Sequence, residues 1–351
     1  MIQSFFHRNV SWLKHCIPVF CMVMLCSCSE TTTVSESECD FSNFTLPSGF
    51  PTLPIPPDNP IQSNAITLGR ALFYDASLSK DGMVSCASCH KQEFAFSDAG
   101  KSVSRGVAGE LGMRNSPAII NAAYQHSYFF DGRVSKLEDQ ILAALISPNE
   151  LYSSHEIVLK AISSNPRYMS LLNKIYADDS ITIERVVKAI ATFTRTILTG
   201  NSHYDKFIQG KAQFNEQQKE GMKLFFGEKA GCAQCHSGFN FTDYSFASTG
   251  LYTHYYDKGR YYTTKSEHDI GIFKTPSLRN IAVTYPYMHD GAIASLMEVL
   301  EHYNKGGKDF VNKDKRIKPL NLTQAELQAL EAFLKTLTDS SLITNSCYGK
   351  N

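Results

Sequence analysis

Two pentapeptides carry chemistry in their spacing: Cys86-Ala87-Ser88-Cys89-His90 and Cys232-Ala233-Gln234-Cys235-His236. In each, two thiols three residues apart can reach the two vinyl groups on one edge of a haem. The adjacent imidazole can then turn beneath the ring and bind iron. One such pentapeptide alone also reads as a zinc or redox pair. Two copies, each inside a repeated unit of an exported chain, point to two covalently attached haem c groups. Cys86, Cys89, Cys232 and Cys235 are then the attachment points, and His90 and His236 the proximal iron ligands.

The elements that must position these residues repeat as well. Gly69-Arg70-Ala71-Leu72-Phe73-Tyr74 precedes the first pentapeptide and Gly221-Met222-Lys223-Leu224-Phe225-Phe226 the second. Each pentapeptide is followed by a phenylalanine-led run ending in aspartate, Phe94 to Asp98 and Phe239 to Asp243. A tandem duplication is the economical reading. The expected fold is mainly α, with two tandem cytochrome c-like haem domains at 62–205 and 206–345 and loop-rich connections. Apolar residues at three- and four-residue spacing predict helices over Ser135 to Ile146, His155 to Ala161, Ile183 to Leu198, Asn215 to Phe226 and Thr323 to Leu337. Strand signals are few and short.

Residues 1–28 read as a lipoprotein-type signal peptide. Arg8 and Lys14 supply positive charge, and Cys16 to Leu25 is an apolar stretch too short to span a bilayer as a helix. It ends in Leu25-Cys26-Ser27-Cys28, which resembles a lipobox with Cys28 as the lipid-anchored residue; ordinary signal cleavage is the alternative. Either route takes the chain to the periplasm. Residues 29–61, rich in Ser, Thr, Glu and Pro, are expected to form a flexible tether, with a loop wrapped on the body as the alternative. Of the ten cysteines, Cys39 and Cys347 lie outside the leader, lipobox and pentapeptides, and an oxidising compartment favours pairing them. Lys+Arg and Asp+Glu balance at 34 each, so no basic field invites nucleic acid.

The chain from Leu68 to Leu151 resembles the bacterial dihaem cytochrome c peroxidase and MauG superfamily. Leu68-Gly69-Arg70-Ala71-Leu72-Phe73, the first pentapeptide, Arg114-Asn115-Ser116-Pro117, Phe130-Asp131-Gly132-Arg133 and Gln140 through Glu150 carry the likeness. It resumes at Thr275-Pro276-Ser277-Leu278-Arg279-Asn280 and Thr284-Tyr285-Pro286-Tyr287-Met288-His289-Asp290-Gly291. The resemblance implies a peroxidase whose N-terminal haem meets hydrogen peroxide. Glu150 would be the acid–base group there, and Gln140 would orient the peroxide. Relatives that need reductive activation block that iron with a histidine before Arg-Asn-Ser-Pro. Val107 stands near that position and no histidine occurs between His90 and His126, so the N-terminal haem is expected to be open.

For the C-terminal haem, the resemblance places a methionine or, in MauG-like members, a tyrosine fourteen residues after the histidine of His-Asp-Gly. Counted from His289 this is Tyr303. Leu296, Leu300 and Tyr303 share one helical face. Met288, Met297 or a merely packed tyrosine stay open as alternatives. A phenolate favours ferric iron and a thioether ferrous iron. Two departures from the family pattern stand out: Phe130 replaces the tryptophan that relays charge between the haems, and Ala144 replaces a proline. Tyr128 is the nearest candidate relay in sequence. The resemblance also implies a calcium ion held by oxygens of Asn115, Thr284 and Pro286, a homodimer, and electrons from periplasmic cytochrome c or another redox protein. The rival functions are MauG-like oxidation of a partner protein and a dihaem electron carrier without peroxide chemistry.

Overall fold

The computed structural model describes Cys39, Phe41 and residues 44–178 and 180–350; the expected signal peptide and the Cys28 anchor lie outside them. In chain order the helices begin with α1 (Ser63–Phe73), α2 (Cys86–Cys89), α3 (Leu137–Ile146), α4 (His155–Ser163), α5 (Pro166–Ile175) and α6 (Ile183–Thr196). They continue with α7 (His203–Ile208), α8 (Glu216–Phe226), α9 (Tyr261–Thr264), α10 (Leu296–Asn304), α11 (Gln324–Lys335) and α12 (Ser340–Ile343). One small antiparallel pair, β1 (Phe246–Ala247) with β2 (Phe273–Lys274), sets Phe246 opposite Lys274. None of the described helices is long and apolar enough to cross a membrane.

Helix starts follow side-chain capping. Thr182 accepts the Arg185 N–H ahead of α6, while Asn215 with Gln218, Ser295 with Glu298 and Thr323 with Glu326 form reciprocal boxes ahead of α8, α10 and α11. Each long helix then buries one stripe. Phe73, Phe96, Ile162, Val186 and Phe193 belong to one core; Phe225, Phe241, Leu330, Phe333 and Leu337 belong to another.

The two cores are built alike. α1 crosses α6 at Gly69, where a Cβ would stand 1.9 Å from the Ala189 carbonyl oxygen, and α8 crosses α11 at Gly221, 1.9 Å from that of Ala329. Only a residue without a side chain allows either crossing. The likeness continues in the loops at a constant offset. Asn121 and Asn280 take φ of 53° and 57°, Phe129 and Met288 take 62° and 75°, and Gly132 and Gly291 both take 68°. The Tyr128 hydroxyl donates to Ala122 O at 3.1 Å and the Tyr287 hydroxyl to Ile281 O at 3.0 Å. Tyr128 bridges Val134 as Tyr287 bridges Ile293. Leu137 then opens α3 as Leu296 opens α10.

Residues 44–61 do not form a free tether. Leu53 is buried, the Phe50 ring lies 4.7 Å from that of Phe239 and 6.0 Å from that of Tyr124, and Tyr124 donates to Pro51 O at 2.9 Å. The composition suggested a linker, but its aromatic and proline residues bury apolar surface against the body. Residues 340–350 return to the first core: Leu342 enters it, Arg70 donates to the carbonyls of Ser346 and Gly349, and Cys39 is bonded to Cys347 at 2.22 Å.

Candidate active site

A cavity of about 720 Å³ runs between the two cores, and all four pentapeptide cysteines and both pentapeptide histidines line it. Cys86 to Cys89 form one helical turn capped by Ser85, and Cys232 to Gln234 form a 3₁₀ turn, so each thiol pair projects from a single turn. Burial pushes the Cys86 and Cys232 thiols up to about 12. The His90 Nδ1–H donates to Phe96 O at 2.9 Å, and the His236 Nδ1–H to Phe241 O at 3.2 Å. Those bonds favour the tautomer with the proton on Nδ1, in which Nε2 carries the lone pair that an imidazole ligand needs. Burial also lowers both imidazoles below their ordinary value, which favours the neutral, ligating ring. An apolar slot with paired thiols and an oriented neutral imidazole at two places fits two haem c groups.

Polar groups facing this cavity differ between its two sides. Glu150 and Gln140 line it with the first core. Neither side chain makes a hydrogen bond among the described residues. Burial raises the Glu150 carboxyl, and the Arg133 guanidinium pulls it back part of the way. The Glu150 segment is held by the loop that carries Val107: Val107 N–H donates to Glu150 O at 2.9 Å, and Gly106 lies against the backbone of Asn149. Val107 is buried and absent from the cavity lining.

In the second core Tyr303 lines the cavity from α10. Its hydroxyl makes no hydrogen bond among the described residues, and burial, with the Cys232 and Cys235 thiols nearby, raises it above the usual phenol value. Met288 also lines the cavity, whereas Met297 packs against the second core instead. Asn115, Thr284 and Pro286 line the same cavity. The Asn115 amide N–H donates to the carbonyls of Lys101 and Ser102, and its backbone N–H to His289 O at 2.8 Å. The Asn115 side-chain oxygen and the carbonyls of Thr284 and Pro286 accept nothing among the described residues, which suits a hard cation.

The structure adds residues to which the sequence assigned no role. Arg114 grips Asp257 at 2.6 and 3.0 Å and Asp131 at 2.8 Å, tying the two halves across the cavity. Arg133 bonds Asp131 at 3.1 Å and stacks 3.3 Å over the Phe129 ring. His289 lines the cavity at the place that Phe130 takes in the first copy, stacked 3.8 Å from the Phe273 ring. The signal for these was present in Arg-Asn-Ser-Pro and Phe-Asp-Gly-Arg, but their partner Asp257 lies in no motif. Tyr128 lines the cavity, and its hydroxyl is spent on Ala122 O.

Comparison with known proteins points the same way. The family model for di-haem cytochrome c peroxidase matches residues 63–213. Cytochrome c551 peroxidase of Nitrosomonas europaea is 36% identical over 293 residues, covering 82% of this chain and 84% of that protein. The methylamine utilization protein MauG of Methylorubrum extorquens is 35% identical over 326 residues, covering 90% of each. The crystal structure of a MauG-like protein associated with microbial copper homeostasis superposes with a TM-score of 0.83 at 35% identity, covering 88% of this chain and 98% of that one.

Proposed function

Because the chain belongs to the di-haem cytochrome c peroxidase family, which includes MauG, we propose that it reduces hydrogen peroxide at the His90 side of the cavity. Electrons would come from a periplasmic redox partner such as cytochrome c and enter through the His236 side. One observation carries this reading: the Glu150 carboxyl and the Gln140 amide, which make no hydrogen bond among the described residues, line the cavity with the first core. Two such groups serve an electron carrier nothing and serve peroxide chemistry directly.

Haem held by Cys86, Cys89 and His90 would supply the iron that reduces peroxide, and haem held by Cys232, Cys235 and His236 would supply the electron route. Glu150 accepts the proton of one peroxide oxygen and returns it to the other, which leaves as water. Gln140 holds the peroxide by its amide, and Arg133 keeps the Glu150 carboxyl ionisable despite its burial. Two electrons and two protons complete the conversion of one peroxide into two waters. In this reading 62–205 and 206–345 act as tandem haem domains, the oxygens of Asn115, Thr284 and Pro286 hold calcium between them, and Cys28 anchors the chain as a periplasmic lipoprotein.

Tyr303 favours a second reading. If its phenolate closes the His236 iron, that side accepts electrons poorly and shares oxidising power instead, which suits MauG-like oxidation of a partner protein. Turnover with reduced cytochrome c and peroxide separates the two. Oxidation of two cytochromes per peroxide supports the peroxidase. No peroxide-dependent oxidation by protein carrying both haems overturns it.

A further inference from the structure

Lys274 is a cation in the cavity wall that meets no carboxylate partner among the described residues. It lies on β2, half-buried, and its ammonium donates to the Gln125 side-chain oxygen and the Ser127 carbonyl. The Tyr128 ring lies 5.8 Å from Nζ. An ammonium has three N–H donors, and the two acceptors it meets are neutral. Among the described residues no carboxylate lies within ion-pair distance. Other cavity-lining cations are matched: Arg114 by Asp131 and Asp257, Arg133 by Asp131, Arg279 by Asp205 and Arg316 by Asp314. Arg105 and Lys318 are exposed to water. Asp131 is the charge that acts on Lys274, and both its oxygens are taken by Arg133, one of them also by Arg114. Burial lowers the Lys274 ammonium to about 8.

A largely desolvated ammonium whose direct hydrogen-bond partners are both neutral is costly unless an anion joins it. The groups that the cavity fits each bring two carboxylates. We propose that Lys274 binds a haem propionate, pairing its third N–H with the carboxylate at the seam where the two halves meet. The seam follows from its contacts. Lys274 follows Phe273 on β2, its backbone N–H donates to Phe130 O at 2.7 Å, and its ammonium reaches the 125–127 loop of the first half. A propionate held there ties the placement of a haem to the loop leading to Phe130. This inference rests on the two-haem reading, which the haem absorbance of the purified holoprotein tests separately.

The experiment uses holoprotein grown with carboxyl-13C-labelled haem and read by infrared spectroscopy across a pH titration. In the unmodified protein one propionate band is expected to stay ionised well below the pH at which the others protonate, because the ammonium stabilises the charged form. In K274Q that band should join the others, and the potential of one haem should fall because a nearby positive charge is gone. K274R should restore both. If all propionates of the unmodified protein titrate together in the ordinary carboxylate range, the proposal is overturned even if K274Q fails to fold. A K274Q titration identical to that of the unmodified protein overturns it equally.

Discussion

Ala144 and Tyr303 occupy the same place in two copies of one helix. Leu137 opens α3 and Leu296 opens α10, and each residue follows its opening leucine at the same interval. Both line the cavity. The first copy therefore leaves a methyl group where the second puts a phenol, one of the exchanges that make the two sides unequal. It also gives a structural reason for the open N-terminal site expected from the missing histidine.

Enlarging Ala144 should close the first site. Ala144→Leu is expected to block cyanide and peroxide binding at the His90 haem while the spectrum of the other haem stays unchanged. Overpacking there costs about 1–3 kcal/mol, so thermal unfolding should be measured alongside. Unhindered cyanide binding would show that this methyl does not border the ligand site.

Replacing Tyr303 should act on the other haem alone. Tyr303→Met is expected to convert its EPR spectrum to a low-spin His/Met type. Its potential should rise by a few tenths of a volt, within the ~0.8 V range that axial ligands cover. A spectrum unmoved by this change returns the tyrosine to a packing role and leaves Met288, which also lines the cavity, as the candidate.

Glu150→Gln should slow the reaction with peroxide by roughly 10²- to 10⁴-fold, the usual weight of general acid–base catalysis. In the unmodified protein the rate should rise with pH through a value above the ordinary glutamate range, because burial raises this carboxyl and its ionised form is the proton acceptor. The stability sign is opposite. Between the unfolded and folded values the folded chain holds a proton that the unfolded chain has lost. This group's contribution is thus full below that window and lost as pH rises through it. Stopped-flow rates across pH check the first part, and urea midpoints of both proteins check the second.

Gly69→Ala and Gly221→Ala should each loosen one helix crossing. With 1.9 Å between the new Cβ and a carbonyl oxygen, the helices must separate, at about 1–3 kcal/mol each. Denaturant titration of the holoproteins should show a lower midpoint for both, whereas Gly210→Ala meets open space and strains only a turn.

What the sequence made legible was chemistry with fixed spacing and helices with strong periodicity. The pentapeptides could be read because thioether attachment tolerates little variation, and α6, α8 and α11 because capping residues precede their apolar stripes. α1 was harder to place: Gln62 gives it no side-chain cap, and a proline-rich stretch precedes it. The loop repeat was hidden because most of its left-handed positions are Asn121, Phe129, Asn280 and Met288, with glycine at Gly132 and Gly291 alone. Glu150 and Gln140 are candidates through family likeness alone; no local pattern marks either. The Arg114 partner of Asp257 and the Gln125 and Ser127 partners of Lys274 lie more than a hundred residues away in sequence.

The return of residues 340–350 to the first core has a consequence for how the molecule is made. Arg70 and Tyr74 on the helix that precedes the first pentapeptide are satisfied by carbonyls of Ser346, Tyr348 and Gly349, and the link from Cys39 to Cys347 joins the same places. Synthesis runs from the N-terminus, so Arg70 waits for a carbonyl made 279 residues later. Haem attached at Cys86 and Cys89 before then would join a half whose Arg70 and Tyr74 still lack these partners.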